Sequence, residues 1–222
     1  MASRVIVTCG PSYEPIDDVR RITNFSTGEL GALLSNRLVV DGHEVLCFRG
    51  TAAPASVALD SRVRHLPFTT NDDLLAKLTA IERRDTVRAV FHVAALADFR
   101  VERNGSERKL SSRTGALTLT LIPATKLISK LRGMFPAAWL VGWKYELDGS
   151  REDAVATGLK QLSENATDAC VVNGAAYGEG FGFLANGGEL VHLGDKRALC
   201  DFLAKRLASA KVTANSAADS PS

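Results

Sequence analysis

An α/β fold with a mostly parallel, doubly wound sheet follows from three features of the sequence. Short apolar, β-branched runs alternate with longer stretches whose apolar residues recur at helical spacing, the succession from which parallel sheets with right-handed crossovers are built. The chain has 222 residues, 45% of them hydrophobic and 23% charged, with 18 Gly and 7 Pro, which is ordinary globular usage at a length that one α/β domain commonly reaches. One polar stretch breaks the alternation, so an arm is expected to leave the sheet.

Arg4 to Cys9 is an apolar run ended by Gly10-Pro11, as a buried strand stopping at a loop would be. After a polar loop, Leu30, Leu33, Leu34, Leu38 and Val39 recur at helical spacing, with Ser26 or Thr27 as N-cap and Asp41-Gly42 as the stop. His43 to Phe48 and Val63 to Leu66 read as strands, Thr70 to Arg84 as a helix capped by Thr70 or Asn71, and Arg88 to Ala94 as a strand. Between Asp98 and Ser112 come charges, Asn104-Gly105 and serines, after which Ala116 to Leu121 alternates with the period of a half-exposed strand. Residues 99–121 are therefore expected to form an arm or flap. Thr125 to Arg132 reads as a helix, Ala138 to Trp143 as a strand, and Ser150-Arg-Glu-Asp153 as a capping-box-like start to a helix reaching Glu164. Ala169 to Asn173 and Glu189 to Leu193 are strands, and Asp195 to Ala208 is a final amphipathic helix. A single Rossmann-like domain over residues 1–208 is expected, with a disordered tail at 209–222 whose small polar residues bury nothing.

Lys and Arg number 27 against 25 Asp and Glu, a net charge of +2. That is too balanced for a protein whose affinity comes from neutralising a phosphate backbone, so no nucleic-acid partner is expected. The longest apolar runs, such as Ala137 to Trp143, fall far below the roughly 20 residues that span a bilayer, and the N-terminus lacks a basic stretch followed by an apolar one. No membrane partner and a cytoplasmic location follow as expectations. Cys9, Cys47, Cys170 and Cys200 are widely spaced inside apolar runs, as four reduced, buried thiols would be.

In such a sheet ligands bind beyond the carboxyl ends of the strands, where strand order reverses. The loop from Gly10 to Gly28 is much longer than the usual two to six residues, which suggests function. It ends in Asn24-Phe-Ser-Thr-Gly-Glu-Leu-Gly31 at a helix start. Either Ser26 and Thr27 only cap that helix while Gly28 permits close packing, or free N–H groups, hydroxyls and the dipole hold a phosphate. The pattern is not G-x-G-x-x-G, which weakens a nicotinamide dinucleotide reading. His92-Val-Ala-Ala-Leu-Ala-Asp98 offers small residues that let a flat ring approach the backbone, with a carboxylate at its end. A nucleoside fits there; helix packing with Asp98 as a cap is the alternative. No second His or Cys stands at ligand spacing from His92, so no metal cage is expected.

Glu14-Pro-Ile-Asp17, Val19-Arg20, Ile22, Asn24, Ser26 and Gly28, followed by Ala94-Ala-Leu-Ala-Asp98-Phe99, resemble the long loop and the "AAVADY" segment of the phosphopantothenate–cysteine ligase (phosphopantothenoylcysteine synthetase) family. Lys109-Leu-Ser-Ser112 is similar to the flap "KISS" of its standalone bacterial members, whereas fused enzymes carry "KIKK". Glu29 stands in place of the lysine of "SSGKMG", and Glu164 where a second lysine is expected. The resemblance implies a homodimer and a monofunctional ligase that joins 4′-phosphopantothenate to L-cysteine through an acyl nucleotide. CTP is expected as co-substrate in preference to ATP, with Mg²⁺ bound mainly through the nucleotide phosphates. It further implies Asn24 and Lys109 as catalytic. A nucleotide would be held by Ser26, Thr27, Gly28, His92, Val93, Ala94, Asp98, Thr125, Lys126, Leu127, Ile128, Trp143 and Lys160, and the other substrates by Arg20 and Asn173. A non-catalytic nucleotide-binding module and a Rossmann-type reductase are the competing classes.

Overall fold

The computed structural model describes residues 3–54, 57–102, 108–111 and 115–209. The expected tail, from residue 210 onward, and two stretches of the expected flap, 103–107 and 112–114, lie outside them. The central sheet is built from β1 (Arg4–Cys9), β4 (Glu44–Gly50), β5 (Arg64–Phe68), β6 (Val87–His92), β9 (Trp139–Tyr145), β10 (Ala169–Gly174), β11 (Gly178–Ala185) and β12 (Leu190–Leu193). Their order across the sheet is β12-β11-β10-β9-β6-β1-β4-β5. The strands from β10 to β5 pair in parallel, and β11 and β12 extend the sheet antiparallel. Counted in chain order from β5, the parallel strands run third, second, first, fourth, fifth, sixth, the order of the doubly wound dinucleotide-binding fold. The expected fold class is borne out.

Side chains alternate across each buried strand. Val5, Val7 and Cys9 of β1 face α1 (Glu29–Val40) and α5 (Lys196–Ser209), while Ile6 faces the layer of α2 (Asn71–Thr79) and α3 (Ile128–Met134). Ala154 and Leu162 of α4 (Arg151–Asn165) pack on Cys170 and Val172 of β10. All four cysteines are free and buried, as expected.

Several boundaries differ from expectation. Neither Ser26 nor Thr27 caps α1; Gly28 occupies the N-cap at φ 68°, a left-handed conformation that a Cβ strains. Helix α2 stops at Thr79 with Ala80 as its C-cap, and a 3₁₀ turn at Arg84–Thr86 follows, entered through Arg83 at a positive φ of 51°. Ser150 and Asp153 do form the full capping box of α4. The long first loop folds back as a hairpin of β2 (Tyr13–Pro15) and β3 (Arg21–Thr23). The alternating segment Ala116 to Leu121 is a strand only at its end, where β8 (Leu121–Pro123) pairs with β7 (Phe99–Val101) at the root of the arm.

Candidate active site

Strand order reverses between β1 and β6, and beside that reversal, beyond the ends of β6 and β9, lies a cleft of about 440 Å³. One wall is the loop after β6, with Ala94, Leu96, Ala97 and Asp98; a second is the approach to α3, from Ala124 to Ile128. Trp143 and Lys144 at the end of β9 and one face of α4 (Thr157, Lys160, Gln161, Glu164 and Asn165) complete it, with His92 and Asn71 also lining. A Cβ on Gly142 would lie 2.5 Å from Gln161 Nε2 and 2.9 Å from Ile128 Cδ1. Glycine there lets α3 and α4 approach the strand end.

The walls mix small apolar residues with polar and charged side chains, among them Asp98, Lys126, Lys144, Lys160 and Glu164. Burial holds the His92 imidazole down at a pKa of about 4, so the ring is neutral at pH 7, and its Nδ1 lies 2.9 Å from Thr8 Oγ1. Trp143 Nε1 and Asn71 Oδ1 are buried without a protein partner. On α4, Lys160 Nζ lies 3.7 Å from the Glu164 carboxylate, both exposed.

Hydrogen bonds stitch the first loop to the rim. The Ser12 N–H donates to Ala95 O at 3.2 Å, the Ala97 N–H to Ser12 Oγ at 2.8 Å, and Thr23 Oγ1 to Ser12 O at 2.7 Å. Just after β3, Asn24 Nδ2 donates to Leu96 O at 2.9 Å. The amide of Asn24 is thereby held against the loop that forms one wall.

Asp17 ties down the flap's return. Its buried carboxylate accepts from the backbone N–H groups of Val19 (2.9 Å), Arg20 (2.8 Å) and Leu110 (3.1 Å) and pairs with Arg20 at 2.7 Å. Burial acts to raise its pKa, but the three amides and the guanidinium outweigh that and leave it at about 2. Arg20 Nη2 also donates to Leu110 O at 2.6 Å, and Arg108 Nε to Asp18 at 2.8 Å. The exposed Lys109 sits between these two anchors.

Of the expected site residues, His92, Ala94, Asp98, Thr125, Lys126, Leu127, Ile128, Trp143 and Lys160 line this one cleft, and Asn24 stands at its rim. Val93 instead donates its N–H to Thr8 O at 3.0 Å and packs on the core. Ser26, Thr27 and Gly28 head α1, where Gly28 packs against Gly10 and Thr27 Oγ1 accepts the Glu29 N–H at 3.3 Å. Arg20 serves the flap anchor. Asn173 pairs in register with Tyr145, and its carbonyl accepts the Glu146 N–H at 2.9 Å. The acidic Glu29 carboxylate is paired with Lys196 of α5. Asn71 and Gln161 were not anticipated as lining; the i, i+3, i+4 and i+7 spacing of Thr157, Lys160, Gln161 and Glu164 was the available signal.

Residues 1–218 match the family described as the DNA/pantothenate metabolism flavoprotein C-terminal domain. The chain belongs to this family. Among its relatives, the coenzyme A biosynthesis bifunctional protein CoaBC of Thermococcus kodakarensis is 30% identical over 170 residues, which cover 77% of this chain and 41% of that protein. The chain thus spans about two fifths of that relative's length. A structure of the DNA/pantothenate metabolism flavoprotein from Streptococcus pneumoniae superposes with a TM-score of 0.81 at 24% identity, over 94% of this chain and 99% of that one. A Cab2 variant in complex with phosphopantothenate-cysteine superposes with a TM-score of 0.73 at 18% identity, over 93% and 88%. At these identities the superpositions show the shared fold. Family membership agrees with the resemblance carried by the Glu14 to Gly28 and Ala94 to Phe99 segments.

Proposed function

We propose that the protein is a phosphopantothenate–cysteine ligase of coenzyme A biosynthesis, using CTP and acting in the cytoplasm as a homodimer. The observation that carries this reading is the single cleft beside the strand-order reversal, which gathers nine of the residues expected to hold a nucleotide, with Asn24 at its rim and a tethered flap bearing Lys109. The names of the relatives supply the substrates.

In the first step an oxygen of the phosphopantothenate carboxylate attacks the α-phosphorus of CTP, and pyrophosphate leaves. In the second the cysteine amine attacks the acyl carbon, the acyl C–O bond breaks, CMP departs and the amine loses a proton. Charge accumulates on the phosphates in the first step, where the Lys109 ammonium can offset it. It accumulates on the acyl oxygen in the second, where the Asn24 amide can donate. Among the described residues no three His, Cys, Asp or Glu side chains converge as a metal cage; Mg²⁺ would be carried on the nucleotide phosphates, where it would offset their charge. For the dimer, the support is the exposure of Phe25 on the first loop and of Phe99 and Leu121 at the root of the arm, large apolar groups that a second copy would cover.

The test is incubation with phosphopantothenate, cysteine, Mg²⁺ and each nucleoside triphosphate in turn. Pyrophosphate release highest with CTP is expected. Release highest with ATP overturns the nucleotide choice alone, and release with none favours a non-catalytic nucleotide-binding module.

A further inference from the structure

The two loops that face each other across the cleft are joined by one side chain that belongs to neither. Asn71, the first residue of α2, is 2% exposed. Its Nδ2 donates to Ala97 O at 2.8 Å in the loop after β6 and to Thr125 O at 3.3 Å in the segment before α3. Next to it Asp72 holds the same segment separately, accepting from Thr125 Oγ1 at 3.1 Å. Two carbonyl partners on Nδ2 fix which end of the Asn71 amide is which, so Oδ1 is the end left over. That oxygen is buried with no partner, a state found for few buried polar groups. Asn71 itself lines the cleft.

We infer that Asn71 selects the base: its amide sets the gap between the two loops, and its unpaired Oδ1 accepts from the exocyclic amino group of an aminopyrimidine edge such as cytosine presents. The inference rests on the nucleotide reading of this cleft and deepens it. A carbonyl in place of that amino group, as in uracil, would set two acceptors face to face. Seclusion from water sharpens the choice, because no solvent proton compensates when the ligand donor is missing.

The test is titration calorimetry of the full chain with CTP, UTP and the CTP analogue lacking the 4-amino group, for the native protein, Asn71→Ala and Asp72→Ala. The native protein should bind CTP at least tenfold more tightly than either competitor. In Asn71→Ala that preference should shrink to within about threefold, so that removing the ligand's amino group and removing the amide are not additive. Asp72→Ala releases Thr125 but keeps the acceptor, and should keep the preference. Equal binding of CTP and the analogue by the native protein overturns the inference even if Asn71→Ala does not fold. An undiminished preference in Asn71→Ala, or its loss in Asp72→Ala alone, overturns it too while leaving the nucleotide cleft in place. Binding of no nucleotide overturns the cleft reading along with it.

Discussion

Acidification should destabilise this protein through His92 at the cleft wall. The imidazole is buried, and burial lowers its pKa from 6.5 to about 4. The unfolded chain therefore takes up this proton near pH 6.5, while the folded state resists it until about pH 4. Between those values the unfolded state binds more protons, so stability falls as pH falls. At about 1.36 kcal/mol per pKa unit the full effect is about 3 kcal/mol, of which roughly 2 kcal/mol is realised between pH 7 and 5. That is a large fraction of a typical unfolding free energy of about 5–15 kcal/mol. Urea unfolding at pH 7, 6 and 5, for the native protein and His92→Gln, isolates the contribution, because carboxylates elsewhere act equally on both. The native protein should lose about 2 kcal/mol more than the variant over this range. Parallel losses in the two proteins would refute the assignment of a neutral, secluded imidazole.

Four further outcomes follow from the geometry. Lys109→Gln should lower pyrophosphate release without cysteine by about 10²–10³-fold, whereas Asn24→Asp should slow the second step more and let an acyl nucleotide accumulate in single-turnover quenches; equal loss of release in both variants would contradict this division of roles. Asp17→Asn removes the charge that Arg20 pairs with at the flap's return, and kcat should fall by up to about 10²-fold, as misplaced groups cost; since the carboxylate titrates at about 2, its contribution should stay constant from pH 8 down to 5 and be lost only as pH falls from near 4 through about 2. Gly31→Ala places a Cβ 2.2 Å from that of Cys9, and overpacking of about 1–3 kcal/mol should depress Tm by several degrees in a thermal scan. Light scattering at micromolar concentration should give a dimer mass, and a monomer mass would reject the arm as a dimer contact.

The parallel half of the sheet was legible because β1, β4, β6 and β10 are buried on both faces and read as unbroken apolar runs. β11 was not, although it has 8 residues, because Gly178, Gly180 and Gly182 erase the propensity signal. At Gly182 the reason is tertiary, since a Cβ there would lie 2.6 Å from the Tyr177 ring, whereas Gly178 has open space around it and a positive φ of 89°. The hairpin in the first loop was hidden by strands of only three residues, β2 and β3, joined across Asp17-Asp18. Small residues and the long loop pointed to the cleft, since Ala94 to Asp98 and Thr125 to Ile128 needed only to lie at strand ends. Asn71 read as a cap because its partners, Ala97 and Thr125, are distant in sequence, a relation that no local pattern carries.

The central claim is that the carboxylate of phosphopantothenate becomes covalently joined to the nucleotide before cysteine arrives. Phosphopantothenate labelled with ¹⁸O in that carboxylate tests it directly, with mass analysis of the nucleotide product. Attack by the carboxylate on the α-phosphorus, followed by cleavage of the acyl C–O bond, predicts CMP carrying one labelled oxygen. Unlabelled CDP accompanied by labelled inorganic phosphate would contradict the account and place the activation at the terminal phosphate.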